Sequence, residues 1–175
     1  MIDVVKPYAD EYKKEIPIIV AGGIYTGEDM GEFLDLGAAG VQMGTRFVTT
    51  NECDASIQFK KDYLNCTEQD IIIIDSPVGL PGRAISNNFL KSVSTNSNSP
   101  TNCPYHCIQT CNMEESPYCI ALALLNAKKG KMKRGFAFAG QNAYRTDKIV
   151  SVRELIRSIC EEYNHYIQSK QEQYI

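Results

Sequence analysis

Two pairs of small residues in the first fifty positions have the types that bind phosphate groups. Gly22-Gly23 follow the apolar run at residues 18–21, and Gly44-Thr45 lie within a second run at residues 41–47. A glycine leaves its backbone N–H open to a ligand because it has no Cβ, and the threonine adds a hydroxyl. The two pairs therefore predict a cup for a phosphate. Alternatively, the glycines serve as tight turns and Thr45 is an ordinary strand residue.

The elements around these pairs predict one βαβ unit. The β-branched run at residues 18–21 is typical of a buried parallel strand, and the second strand is predicted at residues 41–47. Between them, Thr26 is placed to cap a helix that ends at Gly37. A right-handed crossover brings the carboxyl ends of both strands to one edge, so the two pairs lie side by side.

The remaining elements are predicted from periodicity and from turn-forming residues. They are a first helix at 5–15, a helix within 51–70, a strand at 71–74, a turn-rich loop at 76–83, an exposed connector at 92–102, a helix from 116 to 129, a short strand or buried turn at 136–139, and a terminal helix at 150–166 that frays beyond. Ser151 and Glu154 have the spacing of a capping box at the start of that terminal helix.

Composition excludes several classes of function. Eighteen Lys and Arg against twenty-one Asp and Glu give a net charge of -3, so no basic surface for nucleic acid is expected. The longest apolar runs are far shorter than the ~20 residues that a bilayer requires, so no membrane segment is expected. Asp3, Asp10 and Glu11 make the N-terminus unlike a secretory signal. The sequence therefore predicts a cytoplasmic protein.

Four of the seven cysteines are close together, at Cys103, Cys107, Cys111 and Cys119. Three thiols spaced by four residues would share one face of a helix, and thiolates bind zinc or iron–sulfur clusters. Because the spacing matches neither common zinc pairs nor ferredoxin runs, we predict a packed apolar thiol face and no metal. A metal site stays the alternative.

Five motifs together resemble the nitronate monooxygenase family, to which FMN-dependent enoyl-acyl-carrier-protein reductases are related. They are P-I-I-V-A-G-G-I at 17–24, G-A-A-G-V-Q-M-G-T-R-F at 37–47, S-P-V-G-L-P-G-R-A-I at 76–85, C-P-Y-H-C-I-Q-T-C at 103–111 and F-A-G-Q-N-A-Y-R at 138–145. The resemblance extends over nearly the whole chain.

The resemblance implies an α/β fold, the C-terminal part of a (β/α)8 TIM barrel with a smaller appended α-rich domain. Residues 1–70 would be the last βα units of the barrel, 71–135 a second domain over the substrate, and 136–175 the return to the barrel. FMN is the implied cofactor, and the residues carried over to its phosphate site are Gly22, Gly23, Gln42, Met43, Gly44 and Thr45.

Two polar positions outside that set have both a functional and a structural interpretation. Arg83 either pairs with an anionic group or ties down its own loop. By resemblance Gln141 and Asn142 lie near the flavin, where an amide either bonds to flavin or substrate or caps the next element.

The resemblance places the family's catalytic histidine in an N-terminal half that this chain of 175 residues does not contain. Neither His106 nor His165 matches it, so no catalytic residue is predicted here. Two strands do not close a barrel, so we expect that a missing N-terminal half or self-association covers their edge.

Three functions follow for this chain. The first is FMN-dependent oxidation of alkyl nitronates with O2, by which a small-molecule substrate is consumed and for which the chain alone is insufficient. The second is an NAD(P)H-dependent enoyl-thioester reductase. The third, from another class, is a non-catalytic fragment or interaction module.

Overall fold

The computed structural model describes residues 1–93, 103, 105–107, 109 and 111–172. Most of the predicted connector at 92–102 and the last three residues of the predicted frayed end lie outside these residues. The described part of the chain forms helices α1 (Ile2–Tyr12), α2 (Gly27–Asp35), α3 (Thr45–Val48), α4 (Ile57–Asn65), α5 (Asn88–Val93), α6 (Ile120–Lys128) and α7 (Val152–Glu172). Its strands are β1 (Ile19–Ala21), β2 (Gly40–Gln42), β3 (Ile71–Asp75) and β4 (Pro81–Ile85).

The predicted βαβ unit is confirmed. β1 and β2 pair in parallel with Val20 opposite Val41, and α2 connects them. Thr26 caps α2, because its hydroxyl accepts the N–H of Asp29 at 3.0 Å while the Asp29 carboxylate accepts the N–H of Thr26 at 2.9 Å. Gly37 follows the helix with φ of +94°, a left-handed conformation that glycine adopts without strain.

The second strand is shorter than the sequence predicts. β2 ends at Gln42, and the residues from Thr45 form the single helical turn α3. The backbone bonds of this stretch are made locally, since Phe47 N–H donates to the Gly44 carbonyl at 3.0 Å and the Thr50 hydroxyl donates to the Phe47 carbonyl at 2.8 Å. The prediction of a strand through Phe47 is therefore wrong.

Helix α7 packs closely along α2 and also contacts α3. Two glycines of α2 allow this approach, because a Cβ on Gly27 would lie 2.1 Å from the Ile159 carbonyl oxygen and one on Gly31 would meet the Tyr166 ring. The predicted capping box between Ser151 and Glu154 is formed.

The terminal helix does not fray at residue 166 but continues to Glu172. Tyr166 and Lys170, one turn apart, both contact the Asp35 carboxylate at the end of α2. These contacts hold the last turns of α7 against α2, which explains why the predicted end of the helix is too early.

The middle of the chain forms an antiparallel hairpin, of which the sequence predicted only the first strand. β3 corresponds to the predicted strand, but β4 begins at Pro81 inside the stretch predicted as loop. The segment at 136–139 pairs along the other side of β4, since Ile85 N–H donates to the Ala137 carbonyl and Ala139 N–H donates to the Arg83 carbonyl, each at 3.0 Å. The prediction of a short strand or buried turn there is confirmed.

Two clusters of buried residues form the core, and the segment at 136–139 joins them. The first comprises Ala84, Phe89, Leu90, Val93, Tyr118, Ala123 and Phe136. The second comprises Tyr63, Cys66, Ile85, Ala137 and Ala143.

The N-terminal elements bury little. α1 has no buried residue, and Ile19 in β1 is 56% exposed. The prediction of a buried strand at residues 18–21 is therefore wrong, because the described residues cover neither face of β1 completely. Within the described residues β1 and β2 have no third strand beside them. No helix in that part of the chain is long and apolar enough to cross a membrane.

Candidate functional site

The carboxyl ends of β1 and β2 form an open cup of small residues, Gly22, Gly23, Gly44 and Thr45, which we call the glycine cup. The parallel register places Ala21 opposite Gln42, so the chain leaves both strands at the same edge. Gly22 and Gly23 have φ of +88° and +77°, and a Cβ on either of them or on Gly44 would meet no atom within 4 Å. The structure therefore brings together the two pairs that the sequence singled out.

The two other carried-over residues, Gln42 and Met43, connect β2 to the cup. Gln42 is the exposed last residue of β2, and Met43 is half-buried. They are the two residues before Gly44, so their backbone positions Gly44 and Thr45 relative to β2.

A third segment closes the cup from the side. Gly140 lies against Thr45, since a Cβ at Gly140 would be 2.3 Å from the Thr45 Oγ1. The Asn142 side-chain amide donates to the Gly23 carbonyl at 2.8 Å. This amide thus binds the loop backbone, a role other than either of the two considered from sequence, whereas Gln141 is exposed.

An ion pair behind the cup was missed by sequence analysis. Arg46, the residue after Thr45, forms a forked contact with the Glu162 carboxylate of α7 at 3.0 to 3.2 Å. The same guanidinium donates to the Tyr25 carbonyl at 2.9 Å. The Arg46 side chain is only 15% exposed, so this pair ties both cup loops to α7.

Tyr25 is the second residue that sequence analysis missed. Two guanidinium groups lie over its ring, with the Arg145 carbon 4.5 Å and the Arg46 carbon 5.1 Å from the ring centroid. Its hydroxyl is 3.3 Å from the Thr146 hydroxyl. Arg46 lies within the quoted motif at 37–47, but its partner Glu162 lies 116 residues further along the chain, beyond any spacing pattern.

The backbone N–H groups that begin α2 are already bound by carboxylates. Asp29 accepts from Tyr25 and Thr26, and Glu162 accepts the Gly27 N–H at 2.7 Å. Burial alone would raise the pKa of Asp29, but the bonds from Thr26 and Tyr25 outweigh it and hold the pKa below its usual value. These N–H groups are therefore not available to a ligand anion, which would bind at the glycine cup instead.

A similar balance between burial and hydrogen bonding keeps the Glu162 carboxylate ionised. Burial would raise its pKa, whereas the hydrogen bonds from Arg46, Gly27 and Ser158 lower it more strongly. Arg46 and Arg145 are thus offset by Glu162 and Asp29, which leaves no excess positive charge. An anion in the cup would therefore be held through N–H and hydroxyl groups.

The residues of the cup fit a phosphate group. Open space surrounds all three glycines, and the described residues form no hydrogen bond to the Thr45 hydroxyl. A phosphate carries acceptor oxygens only, and these match N–H and O–H donors at a strand end.

The two histidines do not contribute to this site. His106 is exposed with φ of +44°, and His165 is exposed on α7.

The predicted thiol face is not formed. His106 has a left-handed backbone conformation, and Cys107 is exposed rather than packed. Cys103 accepts the His106 N–H at 3.4 Å, and the Cys111 sulfur lies 3.5 Å from the Ser116 hydroxyl. No group of three or more His, Cys, Asp or Glu residues among those described is arranged to hold a metal.

Parallel strands joined by a helix, with an open cup at their carboxyl ends, define an α/β protein. A sequence model of the family described as nitronate monooxygenase matches residues 1–162. The chain belongs to the nitronate monooxygenase family, a family of oxidoreductase enzymes.

Curated relatives match part of the chain. A probable nitronate monooxygenase of Staphylococcus saprophyticus is 38% identical over 79 residues, which cover 45% of this chain and 22% of that protein. A (3aS,4S,5R,7aS)-5-hydroxy-7a-methyl-1-oxo-octahydro-1H-indene-4-carboxyl-CoA dehydrogenase of Rhodococcus jostii is 36% identical over 84 residues, 48% of this chain and 24% of that protein. The aligned region thus spans about a quarter of the length of these relatives.

Solved structures match nearly the whole chain. FabK from Thermotoga maritima has a TM-score of 0.71 at 28% identity, covering 94% of this chain and 49% of that one. A nitroalkane oxidase from Streptomyces ansochromogenes has a TM-score of 0.66 at 22% identity, covering 91% and 42%. The chain therefore has the fold of about half of these proteins.

Proposed function

We propose that this chain is the cofactor-phosphate-binding part of an FMN-dependent oxidoreductase that oxidises alkyl nitronates with O2. The observation that carries the proposal is the glycine cup, open at three glycines and lined by the Thr45 hydroxyl. Membership of the nitronate monooxygenase family supports the same assignment. The fold we propose for the whole protein is a (β/α)8 barrel, of which β1 and β2 are neighbouring strands.

Each residue at the cup has a distinct part in holding FMN. Gly22, Gly23 and Gly44 offer N–H groups to the phosphate, and Thr45 adds its hydroxyl. FMN, when bound, supplies the capacity to accept electrons from the substrate. Arg46 and Asn142 hold the two cup loops in place from behind, so that the donors are oriented before the cofactor arrives.

Substrate oxidation requires groups that this chain does not provide. No histidine of the described residues lies at the cup, so the base that removes a substrate proton is proposed to lie outside this chain. An N-terminal half, or a second copy of the chain, would also cover the open edge of β1. Residues 71–135 are proposed to cover the substrate.

The FMN assignment is tested at Thr45. Thr45→Val should weaken FMN by roughly 1–2 kcal/mol because one hydrogen bond to a charged group is lost, whereas Thr45→Ser keeps the hydroxyl and should restore binding. The chain is joined to the N-terminal half of a relative, and the flavin spectrum is titrated. A folded but colourless product, or equal affinity for all three proteins, would remove the cup from the FMN site.

A second candidate is an NAD(P)H-dependent enoyl-thioester reductase. The relative from Rhodococcus jostii is named as a dehydrogenase of a carboxyl-CoA compound, so one member of this group acts on a thioester. The cup serves both functions equally, because both use FMN. Anaerobic bleaching of the flavin by NAD(P)H would favour the reductase, and bleaching by a nitronate alone would exclude it.

The non-catalytic alternative is tested with the chain alone. Gel filtration and flavin titration of the 175-residue chain measure its association state and its FMN affinity. We expect weak FMN binding and no turnover. A monomer that binds FMN stoichiometrically and oxidises a nitronate would show that the chain needs no further part.

A further inference from the structure

The turn after α6 carries a dense cluster of positive charge that the glycine cup does not use. Five of the 18 Lys and Arg of the chain lie at residues 128–134, a stretch without an acidic residue that we call the basic turn. They are Lys128, Lys129, Lys131, Lys133 and Arg134, and all five are exposed. The net charge of -3 for the whole chain conceals this local excess.

Most of these cations lack a counter-charge. Lys128 forms an ion pair with Asp54 at 2.7 Å. Within the described residues, the other members of the basic turn form no ion pair. Like charges held this close repel one another, which is unfavourable for the folded chain unless an anion binds between them. The cluster is therefore better explained by a ligand than by stability.

The backbone of the basic turn is fixed at both ends. Gly130 begins the turn with φ of +80°, a left-handed conformation that glycine adopts readily. The Asn126 side-chain amide donates to the Arg134 carbonyl at 3.2 Å, and the Asn87 amide donates to the Gly135 carbonyl at 2.8 Å. The backbone therefore cannot shift to spread the charges apart, and it needs no rearrangement when an anion binds.

Three of the unpaired cations line one groove. Lys131, Lys133 and Arg134 border a groove of about 610 Å³, together with Gln58 of α4 and Met132. Its volume lies within the ~300–1,000 Å³ that is typical of small-molecule sites. A concave surface lined by charge of one sign concentrates the electric field and attracts ions of the opposite sign. The groove shares no lining residue with the glycine cup, so the FMN proposal does not account for it.

The chemistry of the groove matches a diphosphate group. An arginine binds phosphate through parallel N–H bonds, and a lysine binds it as a point charge. A diphosphate has oxygens on two phosphorus atoms and can contact three cations at once, whereas a single phosphate reaches fewer of them. Sites for single-stranded nucleic acid add aromatic rings on which bases stack, and none of the described residues that line this groove is aromatic.

We propose that the groove at the basic turn binds the diphosphate group of a small molecule, either inorganic diphosphate or a nucleoside diphosphate. Lys131, Lys133 and Arg134 contact the phosphate oxygens. The site is separate from the glycine cup, so its test does not depend on flavin binding.

The test measures binding of anions to the full chain by isothermal titration calorimetry without flavin. The probes are inorganic diphosphate, ADP, AMP and a hexaglutamate peptide. We expect diphosphate and ADP to bind at least about tenfold more tightly than AMP, because AMP loses one or more charge-assisted hydrogen bonds. Equal affinity for diphosphate and ADP would support the diphosphate group alone as the ligand. Tighter binding of ADP would support a nucleoside diphosphate.

A matched pair of variants locates the effect. Lys131→Gln with Lys133→Gln removes two charges from the groove and should weaken diphosphate binding at least about tenfold. Lys6→Gln with Lys14→Gln removes the same charge from exposed positions near the N-terminus and should leave the affinity unchanged. Circular dichroism of each variant verifies that the fold is retained.

Several results would overturn the proposal. Absence of diphosphate binding at millimolar concentration, equal affinity for AMP and diphosphate, or tighter binding of the hexaglutamate peptide contradicts it without any variant. Diphosphate binding that persists in the folded Lys131→Gln, Lys133→Gln protein places the anion elsewhere. An equal loss in the Lys6→Gln, Lys14→Gln protein shows that only the total charge matters. None of these outcomes measures FMN affinity, so the FMN proposal stands or fails separately.

Discussion

At the scale of single residues, Arg46 contacts three separate parts of the site. Its guanidinium binds a carboxylate of α7, a carbonyl of the loop after Gly23 and the face of Tyr25. A lysine could not make these contacts together, because they depend on a planar fork of donors. The cup is therefore held by a charged residue that need not touch the ligand.

The partner of Arg46 gives the protein a defined sensitivity to acid. The pKa of Glu162 is lowered below its usual value of 4.5 in the folded chain, so the unfolded chain takes up a proton first as the pH falls. The stabilisation by the ionised group is complete above about pH 4.5 and is lost as the pH falls through the folded-state pKa.

Glu162→Gln should therefore lower the free energy of unfolding at pH 7 by about 1–3 kcal/mol and flatten its dependence on pH below 4.5. Urea titrations between pH 3 and 7 measure both effects. Glu161→Gln is the matched control, because Glu161 is 70% exposed and, among the described residues, its one ion pair is with Arg157 at 3.9 Å. An unchanged acid slope in Glu162→Gln would mean that the ion pair contributes nothing.

At the scale of elements, the contact of α2 with α7 decides where the cup is held. α2 begins a few residues after Gly23, and α7 provides Glu162 and the backbone against which Gly27 packs. The two helices approach so closely that there is no room for a side chain at Gly27. The absence of a Cβ at this position is thus a requirement of packing, not of backbone conformation.

Gly27→Ala should destabilise the protein by about 3 kcal/mol, because the new Cβ would lie 2.1 Å from the Ile159 carbonyl and 2.5 Å from the Tyr163 nitrogen. Thermal unfolding of the variant measures the loss. A stability equal to that of the unaltered chain would contradict the observed packing of α2 on α7.

Gly44→Ala is the matched control for Gly27→Ala and also probes the cup. A Cβ at Gly44 meets no atom within 4 Å, so stability should fall by less than about 1 kcal/mol. The same methyl group would stand in the open cup and should weaken FMN at least tenfold in the flavin titration. Unchanged FMN affinity would place the phosphate elsewhere.

At the scale of the whole molecule, the N-terminal surface is apolar and lacks cover. Val4, Tyr8 and Tyr12 of α1 are 54 to 65% exposed, and Ile19 of β1 is 56% exposed. Contiguous apolar surface of this kind promotes association in water. The core, by contrast, is concentrated around the hairpin and the segment at 136–139.

We therefore expect the chain alone to self-associate. Light scattering after gel filtration should show species larger than the 19.6 kDa monomer at micromolar concentration. A double variant, Val4→Lys with Ile19→Lys, should shift the population towards monomer. The control Leu80→Lys, at an exposed leucine outside the N-terminal surface, should not. A stable monomer of the unaltered chain would contradict this expectation.

The local pattern of residues was sufficient to predict several elements. The Thr26 cap of α2 and the Ser151 capping box of α7 depend on contacts within about four residues. The pairing of Gly22-Gly23 with Gly44-Thr45 was also predictable, because a parallel crossover has one hand and one common edge. Contacts between residues a few positions apart can thus be predicted from the local sequence.

Only the tertiary structure decided the rest, because the decisive partners lie far apart along the chain. Arg46 contacts Glu162, and Asn142 contacts Gly23. The full length of α7 was mispredicted for the same reason, because the contacts of its last turns with Asp35 form only once distant segments have come together.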